Sequence, residues 1–135
     1  LARIDEFIAN RRRDCRAYSE AFAVLDWLTV PEPDFEEVGP FIYTVRIHSG
    51  RREAFMSHLR SRGVATTIHF LPCHQMTFCR QFPRGPMEVT ERVGRDLLTM
   101  PLWSHMPRDA RDSVIESVQS FARTPATVRA PATVA

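Results

Sequence analysis

Prolines and glycines set the lengths of the helices and strands that this chain can form. Residues 1–25 contain neither, and their apolar positions recur every three or four residues, from Ile4 through Tyr18 to Leu25. This spacing predicts one long amphipathic helix. Residues 26–40 then hold three prolines and a glycine, so the helix must end there and a loop must follow.

The rest of the chain alternates between strand and helix patterns. Strand patterns lie at 41–47, which is rich in β-branched and aromatic residues, and at 64–70. Residues 97–102 are predicted to form a short strand or extended segment that Pro101 stops. Helix patterns with one apolar stripe lie at 51–62, 87–96 and 109–121, and residues 73–86 are predicted to be irregular. We therefore expect a small α/β (α+β) domain, in which a long N-terminal helix precedes a roughly three-stranded sheet covered by helices.

Local signals refine two of these elements. Ser49 is the predicted N-cap of the helix over 51–62, and Gly63 stands where a left-handed C-cap belongs. Along the strand predicted over 64–70, side chains should alternate between two faces. One face would carry Val64, Thr66, Ile68 and Phe70, and the other Ala65, Thr67 and His69.

Composition excludes several classes of protein. The chain has 135 residues, 44% of them hydrophobic and 25% charged, as expected of one globular domain. A net charge of +2 is too mild for a nucleic-acid partner. Apolar runs such as residues 21–25 are far shorter than the roughly 20 residues that span a bilayer, so no membrane is expected. Three cysteines without a secretory segment indicate reduced thiols and a cytoplasmic protein.

The C-terminal residues 123–135 carry the repeat Pro-Ala-Thr-Val twice and no periodicity that could bury a face. They are predicted to form a disordered tail.

Two histidines flank Pro72 where the predicted strand over 64–70 ends. A histidine at such a position is commonly a partly buried, hydrogen-bonded residue, and it can also reach a neighbouring cleft. Residues 69–74 read His-Phe-Leu-Pro-Cys-His. This stretch resembles the His-Tyr-x-Pro-x-His pattern in the C-terminal small domain of the DegT/DnrJ/StrS-type sugar aminotransferases, which are fold type I enzymes.

Weaker matches extend the resemblance over residues 1–122. They comprise Arg12, Arg13 and Tyr18, the Pro-Met-Glu at 86–88, the Leu-Thr-Met-Pro-Leu at 98–102 and the closing helix at 109–121. The resemblance implies an interdomain-type helix at 1–25 and an aminotransferase C-terminal small domain at 26–122.

The resemblance also implies which residues bind substrate. His69 and Phe70 would line the nucleotide-sugar pocket, and His74 is counted with them, with pinning of the following loop as its plainer role. Phe70 stands where the family has tyrosine, so the flat apolar surface is kept while one hydrogen-bonding hydroxyl is lost.

All 18 basic residues of the chain other than histidine are arginines, so the chain contains no lysine. The family it resembles uses pyridoxal phosphate held by a Schiff-base lysine. The cofactor would therefore belong to an N-terminal domain that this chain lacks. We expect no catalytic, cofactor-binding or metal-binding residue here, and no cofactor bound by this chain alone.

These expectations define the predicted function. The chain would be the substrate-binding portion of a nucleotide-sugar aminotransferase that moves an amino group from an amino acid such as glutamate to a keto sugar in amino sugar biosynthesis. It would be incomplete and inactive alone, and its start at Leu1 indicates a truncated beginning. Its partners would be the nucleotide sugar and either the missing domain or a second copy in a dimer.

Two other interpretations compete with this one. His69, Cys73, His74 and Cys79 could offer zinc ligands within eleven residues, although the spacing is poor and no CxxC pair exists. The chain could also be a non-catalytic dimerisation or docking module, or a truncated relic of such an enzyme. A docking module should expose an apolar patch, predicted along Ile4, Ile8 and Phe22.

Overall fold

The computed structural model describes residues 2–82 and 85–122. Within these residues, four α-helices, three β-strands and two single 3₁₀ turns follow one another. In order they are α1 (Ile4–Phe22), β1 (Leu28–Thr29), β2 (Tyr43–Ile47), α2 (Arg52–Ser61), the 3₁₀ turns Cys73–Gln75 and Cys79–Gln81, α3 (Glu88–Asp96), β3 (Leu97–Met100) and α4 (Arg108–Ala122).

The three strands form one antiparallel sheet in the order β1-β2-β3. Val45 in the central strand lies opposite Leu98, and Ile47 lies opposite Leu28. Alternate side chains of β2 are buried, which is the pattern of a sheet with one face against a core. The predicted fold class, a small α+β domain with a long N-terminal helix and a three-stranded sheet, is confirmed.

The core lies between the sheet and helices α1, α2 and α4. The rings of Tyr18 and Phe22 stack at 5.4 Å on α1, and the Trp27 ring meets Phe55 and Phe121 edge-on at 5.1 and 5.2 Å. Burial raises the pKa of Tyr43 to about 12, and its hydroxyl stays satisfied 2.9 Å from the Ser19 hydroxyl. Aromatic side chains from every layer therefore meet in one cluster.

The predicted helices all form, and Gly63 adopts the left-handed conformation expected of it, with φ of +76°. The prediction that Ser49 caps α2 is wrong. Ser49 itself has φ of +60°, and a turn closed by Arg51 N–H donating to the His48 carbonyl precedes the helix. Arg51 then flanks the first helical residue without a side-chain cap.

The strand predicted over 64–70 is also wrong. Within it, Thr67 alone pairs with β3, through an isolated bridge to Thr99. At the start of the segment, the Val64 amide donates to the Leu59 carbonyl at the end of α2, so this donor is not available for pairing with a strand. The third strand of the sheet is instead β1, which lies at the start of the region predicted to be a loop.

The docking patch predicted along Ile4, Ile8 and Phe22 is wrong: Phe22 is buried in the core, and Ile8 lies against Gly39, which leaves Ile4 exposed. The tail predicted at 123–135 lies outside the described residues. Within residues 2–82 and 85–122, none of the helices has the length and apolar character needed to cross a membrane.

Candidate functional site

A shallow cleft of about 330 Å³ opens where β3 ends beside the segment that carries the histidine motif. Its walls come from three parts of the chain: the residues before β2, the extended segment after Gly63, and the end of β3. The lining residues are Phe41, Ile42, Ala65, Thr67, His69, Thr99, Met100, Pro101 and Leu102. Apolar walls around a few polar groups are typical of small-molecule sites.

Thr67 and Thr99 fix His69 in this cleft. Their backbones exchange two hydrogen bonds, with N···O distances of 2.8 and 3.3 Å, so the segment is anchored to β3 two residues before the histidine. The His69 side chain then reaches back, placing Nδ1 3.2 Å from the Thr99 hydroxyl oxygen. The ring is half-buried, which leaves part of it accessible from the cleft.

Phe70 lies beside His69 at the edge of the site. Its ring centroid is 5.0 Å from that of His69, at an interplanar angle of 61°. The residue is 70% exposed, so most of the flat apolar surface that the motif provides faces outward. His69 and Phe70 thus form one contiguous polar and aromatic surface.

His74 is placed differently from the other two predicted residues. It is buried on the turn Cys73–Gln75, and its Nε2 lies 3.3 Å from Oε1 of Glu91 on α3. This contact ties the turn to the helix. A direct substrate contact by any of the three residues stays a prediction.

Helix α3 also supports the motif through Gly94, a residue that the sequence analysis did not single out. A Cβ atom at Gly94 would lie 2.5 Å from Cγ and 3.0 Å from Cδ of Pro72, closer than nonbonded carbon atoms approach. The absent side chain therefore lets Pro72 pack onto α3. A glycine inside a predicted helix was the available signal, since such a residue often has a packing reason.

The described residues give the cysteines no common site. Cys15 is buried on α1, and burial raises the pKa of its thiol to about 12. Cys73 is exposed and Cys79 is half-buried. Within residues 2–82 and 85–122, no three His, Cys, Asp or Glu side chains are grouped so as to hold a metal ion.

Pyridoxal phosphate does not fit this chain as a covalently held cofactor. The cleft contains one titratable side chain, His69, and no lysine occurs anywhere in the 135 residues. A Schiff base requires a lysine amine. The cleft can supply hydrogen bonds and apolar surface to a ligand, which is the chemistry of binding and orientation.

Comparisons with solved structures identify the fold. The chain resembles the aminotransferase TlmJ from Streptoalloteichus hindustanus, with 27% identity and a TM-score of 0.79, over 89% of this chain and 33% of that one. It resembles DesV from S. venezuelae, solved in complex with a ketimine intermediate, with 27% identity and a TM-score of 0.79, over 92% of this chain and 34% of that one.

A third similar structure is the sugar aminotransferase CalS13 from Micromonospora echinospora. It is 23% identical with a TM-score of 0.79, over 89% of this chain and 32% of that one, a likeness that supports the fold. This chain thus spans about one third of the length of each enzyme. Residues 1–119 match the DegT/DnrJ/EryC1/StrS aminotransferase family, and the chain therefore belongs to that family.

Proposed function

We propose that this chain is the substrate-binding portion of a pyridoxal phosphate-dependent aminotransferase that acts on a keto sugar attached to a nucleotide. The observation that carries the proposal is the family match over residues 1–119 together with a cleft that holds His69 of the motif. The amino donor would be an amino acid such as glutamate. The lysine and the cofactor would be supplied from outside these 135 residues, so the chain alone would be inactive.

His69 and Phe70 would contact the substrate directly. His69 lines the cleft with a ring that can hydrogen-bond, and Phe70 offers an exposed aromatic face against which a sugar ring or a base can pack. Since Phe70 has no hydroxyl, it would add apolar contact without a specific hydrogen bond.

His74 would act on the same site by holding the turn. Its contact with Glu91, and that of Pro72 with Gly94, fix both ends of the Pro-Cys-His stretch on α3. The segment that bears His69 and Phe70 would thereby be held in one position before substrate arrives, which limits the ordering cost of binding.

The test is made on the polypeptide that the native gene encodes, using His69→Ala and Phe70→Ala. Each lost contact of about 1.4 kcal/mol raises KM about tenfold, so we expect KM for the keto sugar nucleotide to rise in both variants. Conversion of glutamate to 2-oxoglutarate should change little. Phe78→Ala is the matched control, because Phe78 is also an exposed aromatic residue, packs on Phe82 and does not line the cleft. An unchanged KM in both variants would contradict the proposal.

A second candidate is a non-catalytic docking module. The observation in its favour is a group of exposed aromatic side chains along one stretch of chain, with Phe70, Phe78 and Phe82 exposed by 70%, 72% and 55%. Large exposed apolar surfaces often mark interfaces. Stable association of the 135-residue chain with itself or with a lysine-bearing aminotransferase, without any amino transfer by the complex, would favour this function over the first.

A further inference from the structure

Thr99 is the polar residue that faces His69 from β3. It is only 5% exposed, and its hydroxyl oxygen lies 3.2 Å from His69 Nδ1. Within the part of the chain that the structure describes, this nitrogen is the one hydrogen-bond partner of the hydroxyl. The direction of this hydrogen bond decides which nitrogen of the ring carries the proton.

A hydroxyl has one donor and two acceptor positions. If Thr99 accepted a hydrogen bond from Nδ1–H, its own O–H would remain at a buried position with no partner among the described residues. If it donates to Nδ1, it leaves only lone pairs unused. A buried donor without a partner is the costlier state, so the geometry favours donation from Thr99 to Nδ1.

We propose that Thr99 is a positioning residue that holds the neutral His69 ring in the tautomer protonated at Nε2. In that tautomer the donor of the ring is Nε2–H, which His69 can offer in the cleft that it lines, and the ring does not act as a base through that nitrogen. The group it recognises is an oxygen acceptor, such as a phosphate, hydroxyl or carbonyl oxygen. The identification of that acceptor with the substrate rests on the proposed function, whereas the tautomer does not.

A second histidine–threonine pair provides a contrast within the same chain. The Thr29 hydroxyl lies 2.8 Å from His48 Nε2, but Thr29 is exposed, so water can complete either direction of its hydrogen bond. Burial therefore constrains the proton position at His69 and leaves it unconstrained at His48. Thr29→Val is accordingly a matched control for Thr99→Val.

The test is long-range ¹H–¹⁵N NMR of the histidine rings in the 135-residue chain, at a pH above the titration of the imidazoles. For His69 we expect Nδ1 at the chemical shift of an unprotonated nitrogen and Nε2 at that of a protonated one. Thr99→Val should move the two shifts toward each other as the tautomers mix. Thr99→Ser should restore the original shifts, and Thr29→Val should leave the His69 signals unchanged.

A proton on Nδ1 in the unmodified chain would overturn the proposal, and so would unchanged His69 shifts in a folded Thr99→Val variant. Should Thr99→Val fail to fold, the spectra of the unmodified chain and of Thr99→Ser decide the question. Because the experiment reads a proton position and no turnover, its failure is distinguishable from failure of the proposed function. Loss of amino transfer with the tautomer intact would count against the proposed function alone.

Discussion

Gly94 shows how one missing side chain shapes the site. In Gly94→Ala, the new Cβ would meet Pro72 at 2.5 Å, and overpacking of this kind costs about 1–3 kcal/mol. The gain in helix propensity from glycine to alanine returns about 1 kcal/mol. We therefore expect a net loss of stability, measured as a lower midpoint of denaturant unfolding.

Gly85→Ala is the control for this substitution. Gly85 lies before α3, and a Cβ there would meet nothing within 4 Å. The unfolding midpoint of Gly85→Ala should therefore stay near that of the unmodified chain. A Gly94→Ala variant as stable as Gly85→Ala would contradict the packing of Pro72 onto α3.

The three thiols should differ in reactivity. Burial raises the pKa of Cys15 to about 12, so at pH 8 its reactive thiolate is almost absent, and that fraction grows only as the pH approaches the pKa. We expect iodoacetamide at pH 8 to modify exposed Cys73 and to leave Cys15 intact, as read by peptide mass spectrometry. All three cysteines should react in denaturant. Modification of Cys15 in the folded chain at a rate like that of Cys73 would show that α1 does not bury it.

Single residues also show where the sequence was sufficient. Tyr18 was predictable as a core residue because it lies on the apolar stripe of α1, and Gly63 was predictable as a left-handed residue because it follows a helix end. The Ser49 cap failed since its own backbone takes part in a turn. The roles of Gly94 and Thr99 depend on residues 22 and 30 positions away along the chain, Pro72 and His69, and no local pattern contains such pairings.

At the scale of elements, a buried ion pair joins α1 to α4. Asp14 is 1% exposed, and its Oδ1 lies 3.1 Å from Arg13 and 3.4 Å from Arg111 of α4. Without the Asp14 charge, Arg111 keeps Asp112 as a partner and Arg13 is 43% exposed, so the loss is that of weakened hydrogen bonds at a buried position, about 1–3 kcal/mol. We expect Asp14→Asn to lower the free energy of unfolding by about that amount, as measured in denaturant.

Asp112→Asn is the control, because it removes a surface carboxylate that pairs with the same arginine, Arg111. Asp112 is 61% exposed and lies 2.8 Å from Arg111, and exposed pairs contribute about 1 kcal/mol or less. Equal losses of unfolding free energy in the two variants would mean that the burial of Asp14 adds no stability to the contact between α1 and α4.

The strands show why element prediction failed in part. Residues 64–70 alternate as a strand should, but pairing needs a neighbour in register, and β3 meets this segment at Thr67 alone. Leu28 and Thr29 form a strand of two residues, which is too short to show the alternating pattern of a strand in the sequence. Helices were recovered because their apolar spacing repeats over several turns, as in the 19 residues of α1.

At the scale of the whole molecule, the chain is a small α+β domain that covers about one third of the length of the enzymes it resembles. The candidate site could be located from the sequence only through the His-Phe-Leu-Pro-Cys-His stretch. Spacing alone does not show that His69 lines a cleft while His74 is buried against Glu91. That difference arises where α3 and β3 pack against the motif.

We propose that this chain binds the substrate of an amino transfer whose lysine lies outside its 135 residues. The most direct test isolates the polypeptide expressed from the native gene, measures its intact mass, and assays it with pyridoxal phosphate, glutamate and keto sugar nucleotides. We predict a mass well above 15.5 kDa, a lysine-bearing sequence joined to this one, and formation of an amino sugar nucleotide. A product of 15.5 kDa that transfers no amino group would contradict the claim and favour the docking or relic interpretation, and amino transfer by the lysine-free chain alone would contradict both.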